Sequence, residues 1–342
     1  MRPSVQWLRH TVQALVLGFV CISPVLAWYG SHLAGGGVDD LLVDESAGFR
    51  QSVVAAVDGI VRPPAGSLPA PDRDRIARER LSRVRGNTWS AQLFGLSLLD
   101  PLGGAESAVS GKALWSALAL ALLVPVLLTA LLGRVFCSWL CPAGFLFEMN
   151  QKFGRLLARM GLISHNVSFW RGHKYVLLAV GLALTALVAT PLLSVFYPPA
   201  LVARESHRVI FGLLGGTETS ASTLLITGAS VFLFGLLVVE VLVSQRLWCR
   251  YLCPGGALYG LIGRFRAVRV LRTAGKCTNC ADCVVACPMA LNPMRDKMGL
   301  ECDNCLACVS TCQDGALSLA LSLREGPRPG LLQPTVSASL QS

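Results

Sequence analysis

Eight cysteines toward the C-terminal end follow one spacing used twice, and that spacing dictates what this part of the chain wraps around. Cys277, Cys280, Cys283 and Cys287 read C-x2-C-x2-C-x3-C, followed by Pro288. Cys302, Cys305, Cys308 and Cys312 repeat the spacing, with Gln313 in place of the proline. Short loops of this kind let three thiolates wrap one face of a cubane, and in two-cluster ferredoxins the fourth cysteine of each run ligates the other cluster. The expected sets are therefore Cys277, Cys280, Cys283 and Cys312 on one [4Fe-4S] cluster, and Cys302, Cys305, Cys308 and Cys287 on the second. Zinc sites use two C-x2-C pairs rather than this triple spacing, so zinc or inert thiols are the weaker readings. Proline is not a ligand, and Gly315, Ala316 and Leu317 continue in ferredoxin style, so Gln313 is a minor departure. The expected fold here is a two-cluster, bacterial-ferredoxin-like α+β domain over residues 270–322. Gly326, Pro327, Pro329 and Gly330 mark a disordered tail over 323–342.

Four further cysteines belong to an internal repeat. Arg134 to Phe147 aligns without a gap on Arg246 to Tyr259, placing Cys137 on Cys249, Cys141 on Cys253, Pro142 on Pro254 and Gly144 on Gly256. Each copy is a C-x3-C-P motif, and Cys21 stands alone. Cysteines four apart share a helix face if the helix continues, and the proline then ends or kinks it. Four converging thiols suit a third cluster, a zinc or copper ion, or a redox-active disulfide, and spacing is compatible with each. Simple packing is the bland alternative, since buried cysteine behaves as a small hydrophobe. Duplication of the whole motif argues against it.

The chain has 342 residues, a mean hydropathy of +0.55 and 15% charged residues, against about 25% in an ordinary soluble domain. The deficit sits in four apolar runs near membrane-crossing length: about Val12–Tyr29, Ala113–Leu132, Tyr175–Phe196 and Thr223–Val243. The first follows Arg2, Arg9 and His10. It reads as a retained anchor over residues 1–30 rather than a cleaved secretion signal, because no small-x-small site follows directly and Trp28 and Tyr29 resemble an interfacial belt. The resulting expectation is a mainly α chain. A four-helix integral membrane domain is built of two parallel two-helix repeats, with both C-x3-C-P motifs in residues 113–265, and the ferredoxin domain follows. Residues 31–112 form a periplasmic loop, in which Asp72–Val84 is helix-compatible and Phe94–Leu102 suits the membrane interface.

Basic residues in short loops set the orientation. Arg134, Lys152, Arg155, Arg159, Arg171 and Lys174 follow the second run, and Arg246, Arg250, Arg264, Arg266, Arg269, Arg272 and Lys276 follow the fourth. Both termini and all twelve patterned cysteines are then cytoplasmic in a bacterial inner membrane. The long first loop, with its arginines from Arg73 to Arg85, translocates largely regardless of charge. The net charge of +10 is thus topology charge, and no basic face of a soluble domain points to nucleic acid. A reducing cytoplasm argues against structural disulfides.

An intramembrane carboxylate is a functional candidate by default, and Glu240 lies within the fourth run, about two turns before Cys249. It is placed to take a proton from a quinol, or else it sits close enough to the membrane edge to reach water. Glu148, His165, His173 and His207 are interfacial candidates for the same task, read primarily as surface residues. Trp139, Trp248 and Tyr251 read as interfacial anchors.

At this point the chain resembles the NapH family of membrane quinol-dehydrogenase components. The four runs, the two C-x3-C-P motifs and the paired four-cysteine motifs all match, over about Gly95–Leu319. MauN and the membrane half of NosR look similar. The resemblance implies electron relay between the quinone pool and a periplasmic or membrane redox partner. It carries the family's motif cysteines onto Cys137, Cys141, Cys249, Cys253 and the eight ferredoxin cysteines. The first loop is longer than the family leads one to expect. A second resemblance, to the CcoG group, implies copper reduction or assembly; that group's extra periplasmic domain and a Met- or His-rich copper tract are not seen here. A redox sensor without turnover is a third reading. Bound quinone and rapid reduction by quinol separate the first from the others.

Overall fold

The computed structural model describes residues 3–43, 48–64, 66–86, 90–93, 95–111, 115–161, 167–215, 227–295 and 298–323. The chain divides into two compact units. One comprises Met1–Gln13, Val126–Ala179 and Glu240–Ser342; the other comprises Ala14–Pro125 and Val180–Val239. The fold is mainly helical, with two small sheets.

Helix α1 runs over Pro3–Gly35, longer at both ends than the apolar run alone. It stops where Gly36 takes φ 76°, the left-handed conformation that ends helices and that glycine adopts without penalty. Among the described residues its Val5–Gly35 portion is the one helix long and apolar enough to cross a membrane. The other three runs form apolar helices that are shorter. Helix α6 covers Trp115–Leu132, α9 covers His173–Val188 and α12 covers Gly228–Leu242. The third run was expected to continue to Phe196. It stops at Val188 because Ala189 turns to φ 53°, and a separate four-residue helix α10, Leu193–Phe196, follows. The start of the fourth run and the expected C-terminal tail lie outside the described residues.

The unit built from Ala14–Pro125 and Val180–Val239 holds most of the first loop, and that loop is structured. Helices α2 (Val38–Val43), α3 (Gly48–Val61) and α4 (Ala70–Ser82) are followed by strands β1 (Val84–Gly86), β2 (Ala91–Leu93) and β3 (Leu96–Leu98), then α5 (Pro101–Val109). The strands form one antiparallel sheet in the order β1-β2-β3. Within the stretch expected to suit the membrane interface, residues 96–98 form β3 and Pro101 and Leu102 open α5. Gly86 is obligatory at the β1–β2 turn: its φ is 99°, and a Cβ there would fall 2.1 Å from the Ser90 carbonyl. The α4 helix matches the expectation for residues 72–84 closely. Leu81 and Ala77 pack with Trp28, Tyr29, Leu33, Val54 and Leu214 of α11 (Pro198–Leu214) in the core of this unit. Two buried polar groups find charged or backbone partners there. Arg62 pairs with Asp39 at 2.6 Å and Asp74 at 2.7 Å. Glu106 accepts the Leu193 N–H at 2.6 Å and the Ser194 N–H at 3.2 Å.

The other unit carries all twelve patterned cysteines. After α6 come a short helix α7 (Val135–Trp139) and the amphipathic α8 (Pro142–Arg159). After α12 come a π-helical turn (Trp248–Leu252) and α13 (Pro254–Ile262). The chain then enters β4 (Val268–Arg272), which pairs antiparallel with β5 (Leu317–Leu321), joining Val268 to Leu321 and Arg272 to Leu317. Between these strands lie both four-cysteine motifs, each ending in a one-turn helix: α14 (Asp282–Ala286) and α15 (Ala307–Thr311).

Candidate functional site

The two four-cysteine motifs adopt the same local backbone. In each, the residue before the second cysteine (Asn279, φ 60°; Asn304, φ 50°) and the residue after it (Ala281, φ 64°; Leu306, φ 60°) are left-handed. Two such reversals within three residues coil the loop tightly enough to turn consecutive thiols inward. The short helix then carries the third cysteine and stops at the fourth, which is extended in both copies (Cys287, φ −71°, ψ 113°; Cys312, φ −70°, ψ 106°). Cys277, Cys280, Cys283 and Cys312 line one small cavity, together with Thr278, Asp282 and Asp314. Cys302, Cys305 and Cys308 are buried, and Cys287 is close enough to Cys302 and Cys308 to feel their charge.

The C-x3-C-P segments do not continue as helices through the motif. In each copy a short helical turn ends, and the proline opens a new helix at its first position, where its missing N–H costs nothing. The second cysteine becomes the cap of that helix. The Gly144 N–H donates to Cys141 Sγ at 3.2 Å, and the Gly256 N–H donates to Cys253 Sγ at 3.2 Å. A Cβ on Gly144 would lie 2.7 Å from the Cys137 carbonyl, so a glycine is required where the sulfur meets the backbone. Thiols of the two copies lie within electrostatic reach of one another: Cys137 and Cys141 with Cys253, and Cys249 with Cys141 and Cys253. None of the twelve is paired in a disulfide.

Burial decides the protonation of these groups. It pushes Cys137 up to about 11, aided by Cys253 and Asp303 and opposed by Arg134. It pushes Cys302 up to about 11 as well, and raises Cys249 and Cys305 well above the ordinary range. Such thiols stay protonated at neutral pH unless a metal takes the proton's place. The donor set fits iron–sulfur ligation. Thiolate-directed N–H groups are already aimed at Cys141, Cys253 and, from Leu291 at 3.3 Å, Cys287. Two buried arginines stand beside the C-x3-C-P thiols, and Nε of Arg134 is buried with no hydrogen-bond partner. Among the described residues no three His, Cys, Asp or Glu side chains are grouped to hold a single metal ion; a cubane spreads its thiolates over separate irons.

Arg134 and Arg246 open the two copies of the repeat, and on sequence alone they count only as loop charges that set the orientation. Arg134 is 2% exposed and reaches Glu301 at 3.1 Å, which also pairs with Lys174 and accepts from Tyr175 Oη at 3.0 Å. Burial opposes ionisation of Glu301, but Arg134 and Lys174 outweigh it and hold its carboxyl below the usual range. Arg246 is 3% exposed and pairs with Glu148 at 3.3 Å. Their matched places at the head of each copy are the signal that pointed to them.

Several candidates change standing. Glu148, read as a surface residue, is buried between Arg9 at 2.7 Å, His10 at 3.0 Å and Arg246. Although burial opposes ionisation, Arg9, the hydrogen bond with His10 and Arg246 hold it down at about 2, so it is a fixed charge and a poor proton acceptor at neutral pH. Trp139 also has a partner within the protein: its indole N–H donates to the Asn304 carbonyl at 3.2 Å. Tyr251 is buried, edge-on to Phe169. Trp248 is half-buried, and its backbone N–H donates to Glu240 at 3.1 Å. Glu240 is 2% exposed and therefore does not reach water, the bland alternative for it. His173 is exposed, His207 borders a cavity of the other unit with Arg78 and Arg85, and His165 lies outside the described residues.

A family model described as a 4Fe-4S binding domain matches residues 114–160 and 226–272, one C-x3-C-P motif in each match. The ferredoxin-type protein NapH of Escherichia coli is 30% identical across 72% of this chain and 83% of its own length. NapH of Haemophilus influenzae is 32% identical across 68% and 78%. The chain belongs to the NapH–MauN family of ferredoxin-type proteins. The methylamine utilization ferredoxin-type protein MauN of Paracoccus denitrificans is 34% identical across 60% of this chain and 66% of its own. The chain spans about two thirds of the putative electron transport protein YccM of Escherichia coli, at 30% identity. No solved structure matches significantly. For a NapH–MauN chain the cysteine unit is the conspicuous part, since both matched segments feed into it.

Proposed function

We propose that this iron–sulfur electron-transfer protein relays electrons between the quinone pool of a bacterial cytoplasmic membrane and a redox partner protein. The observation that carries the reading is the meeting, in one unit, of both four-cysteine motifs with both C-x3-C-P motifs, the latter directly following apolar helices. Cys277, Cys280, Cys283 and Cys312 would hold one [4Fe-4S] cluster, and Cys287, Cys302, Cys305 and Cys308 the other. Cys137, Cys141, Cys249 and Cys253 would form a third metal-bearing site. When bound, each cluster supplies a one-electron carrier whose potential depends on the hydrogen bonds and burial around its sulfurs.

Membrane insertion is supported by exposed apolar side chains along the helices. Leu120, Leu123, Leu127 and Leu131 of α6, Val176, Val180, Leu184 and Leu187 of α9, and Val231, Phe234, Val238 and Leu242 of α12 are all exposed. Faces of this size on a soluble monomer are rare. In this reading α1, α6, α9 and α12 are the four spans of two parallel repeats, and both termini are cytoplasmic. Glu240, buried and next to the second motif, is the carboxylate that takes a quinol proton.

The test is anaerobic purification in detergent, with iron and sulfide counts and EPR before and after adding a quinol. About twelve irons place a cluster on the C-x3-C-P cysteines and about eight do not. Quinol-reducible signals are expected, and Glu240→Gln is expected to slow their appearance without changing the iron content. Clusters that ignore quinol but respond to copper would replace this reading with metal reduction.

A further inference from the structure

The two ferredoxin cysteine sets are built alike but placed differently. The loop of the second motif is bound to the first C-x3-C-P segment: Ser138 Oγ donates to the Asp303 carbonyl at 2.7 Å, and Trp139 Nε1 to the Asn304 carbonyl at 3.2 Å. Gln6 at the head of α1 closes the same loop by donating to the Cys305 carbonyl at 2.9 Å. Asn304 in turn donates to the Leu132 carbonyl at 2.8 Å and the Val268 carbonyl at 3.1 Å. Cys287 is held from the second C-x3-C-P segment, because Arg250 donates twice to the Pro288 carbonyl, at 2.8 and 3.0 Å. Arg171 adds bonds to the next two carbonyls, of Met289 and Ala290.

The first motif has different surroundings. Its loop bonds within its own module, Thr278 Oγ1 to Asp314 at 2.6 Å. Cys280 is exposed while Cys302, Cys305 and Cys308 are buried, and Val285 in the following turn is 81% exposed.

Resting on the reading of these thiols as cluster ligands, we infer that the two sets are inequivalent toward water. Cys287, Cys302, Cys305 and Cys308 form an inner set sealed against both C-x3-C-P segments. Cys277, Cys280, Cys283 and Cys312 form an outer set, open to water-soluble one-electron carriers at its Cys280 edge. The crossed ligation produces this arrangement: because Cys287 serves the second motif's set, that set is gripped from both copies of the repeat at once.

The experiment uses the full chain, anaerobic and reduced, with a dysprosium chelate as a water-soluble relaxation probe, reading the EPR relaxation of each cluster. Cys280→Ser and Cys305→Ser assign the two signals. The Cys280-dependent signal is expected to relax several-fold faster with the probe while the Cys305-dependent signal hardly changes; equal or reversed responses overturn the inference. In the same iron-loaded chain, a water-soluble iron chelator is expected to bleach the Cys280-dependent signal before the Cys305-dependent one, and the opposite order overturns the inference. Absence of iron from the purified chain would instead sink the cluster reading, and the inference with it. Asn304→Ala, which removes the amide's bonds to Leu132 and Val268, is expected to raise the inner signal's response and leave the outer one unchanged.

Discussion

The two C-x3-C-P copies agree at the sulfur and differ everywhere else. Both end with a cysteine capping a helix, a proline at the first helical position and a glycine N–H on the sulfur. They arrive there by different routes. The first enters through an α-helical turn from Arg134, and the second through a π-turn that starts after Arg246 at φ 52°. Arg134 leans on Glu301 of the ferredoxin module, and Arg246 leans on Glu148 of the other copy. Duplication has kept the geometry that presents sulfur and released the rest, so the half-sites are alike in chemistry and unlike in support.

Removing those supports is the strongest way to break the comparison. Glu301→Ala leaves Arg134 and Lys174 buried without their carboxylate, and Glu148→Ala does the same to Arg9 and Arg246. Each is expected to cost about 3–5 kcal/mol, read as a lower unfolding midpoint in detergent. A copy-specific loss of iron distinguishes the two if the supports are private to each half. The glycines come next. Gly144→Ala drives a Cβ to 2.7 Å from the Cys137 carbonyl, whereas at Gly256 it meets the movable Nη2 of Arg134 at 2.7 Å. About 1–3 kcal/mol is expected at Gly144 and clearly less at Gly256; equal losses would show that Arg134 is as fixed as backbone.

Acid sharpens the contrast further. The Glu148 carboxyl is held at about 2, below its ordinary 4.5, so its contribution is complete above about 4.5 and is lost as pH falls toward about 2. An unfolding series over that window is expected to be steeper for the parent than for Glu148→Gln. Tyr175→Phe, removing one bond to Glu301, is the smallest effect, about 1–2 kcal/mol by the same unfolding assay.

Much of the site was legible because thiolate spacing is a local matter. The doubled C-x2-C-x2-C-x3-C spacing shows in the structure as one backbone used twice, and the gap-free alignment of 134–147 on 246–259 as matched Cys–Gly contacts. What escaped notice depends on tertiary contact. Glu148 reads as polar and interfacial until Arg9, nearly 140 residues away, is found against it. Trp139 reads as a belt residue until its N–H is seen on Asn304. The β1–β3 sheet was missed because its strands are three residues each, too short for any alternation to register. Hydropathy located four apolar helices but overran the third, where a left-handed alanine ended it before any proline or glycine did.

Left-handed backbone recurs at Asn279, Ala281, Asn304 and Leu306; asparagine adopts it readily, whereas Ala281 and Leu306 are held there at about 1–3 kcal/mol each. Nothing in the polypeptide alone repays that cost as directly as iron does. The turnover of this chain in a cell should therefore track iron supply: starved of iron, the module between β4 and β5 is the first to open to proteases, and the protein's abundance becomes a gauge of the metal it uses.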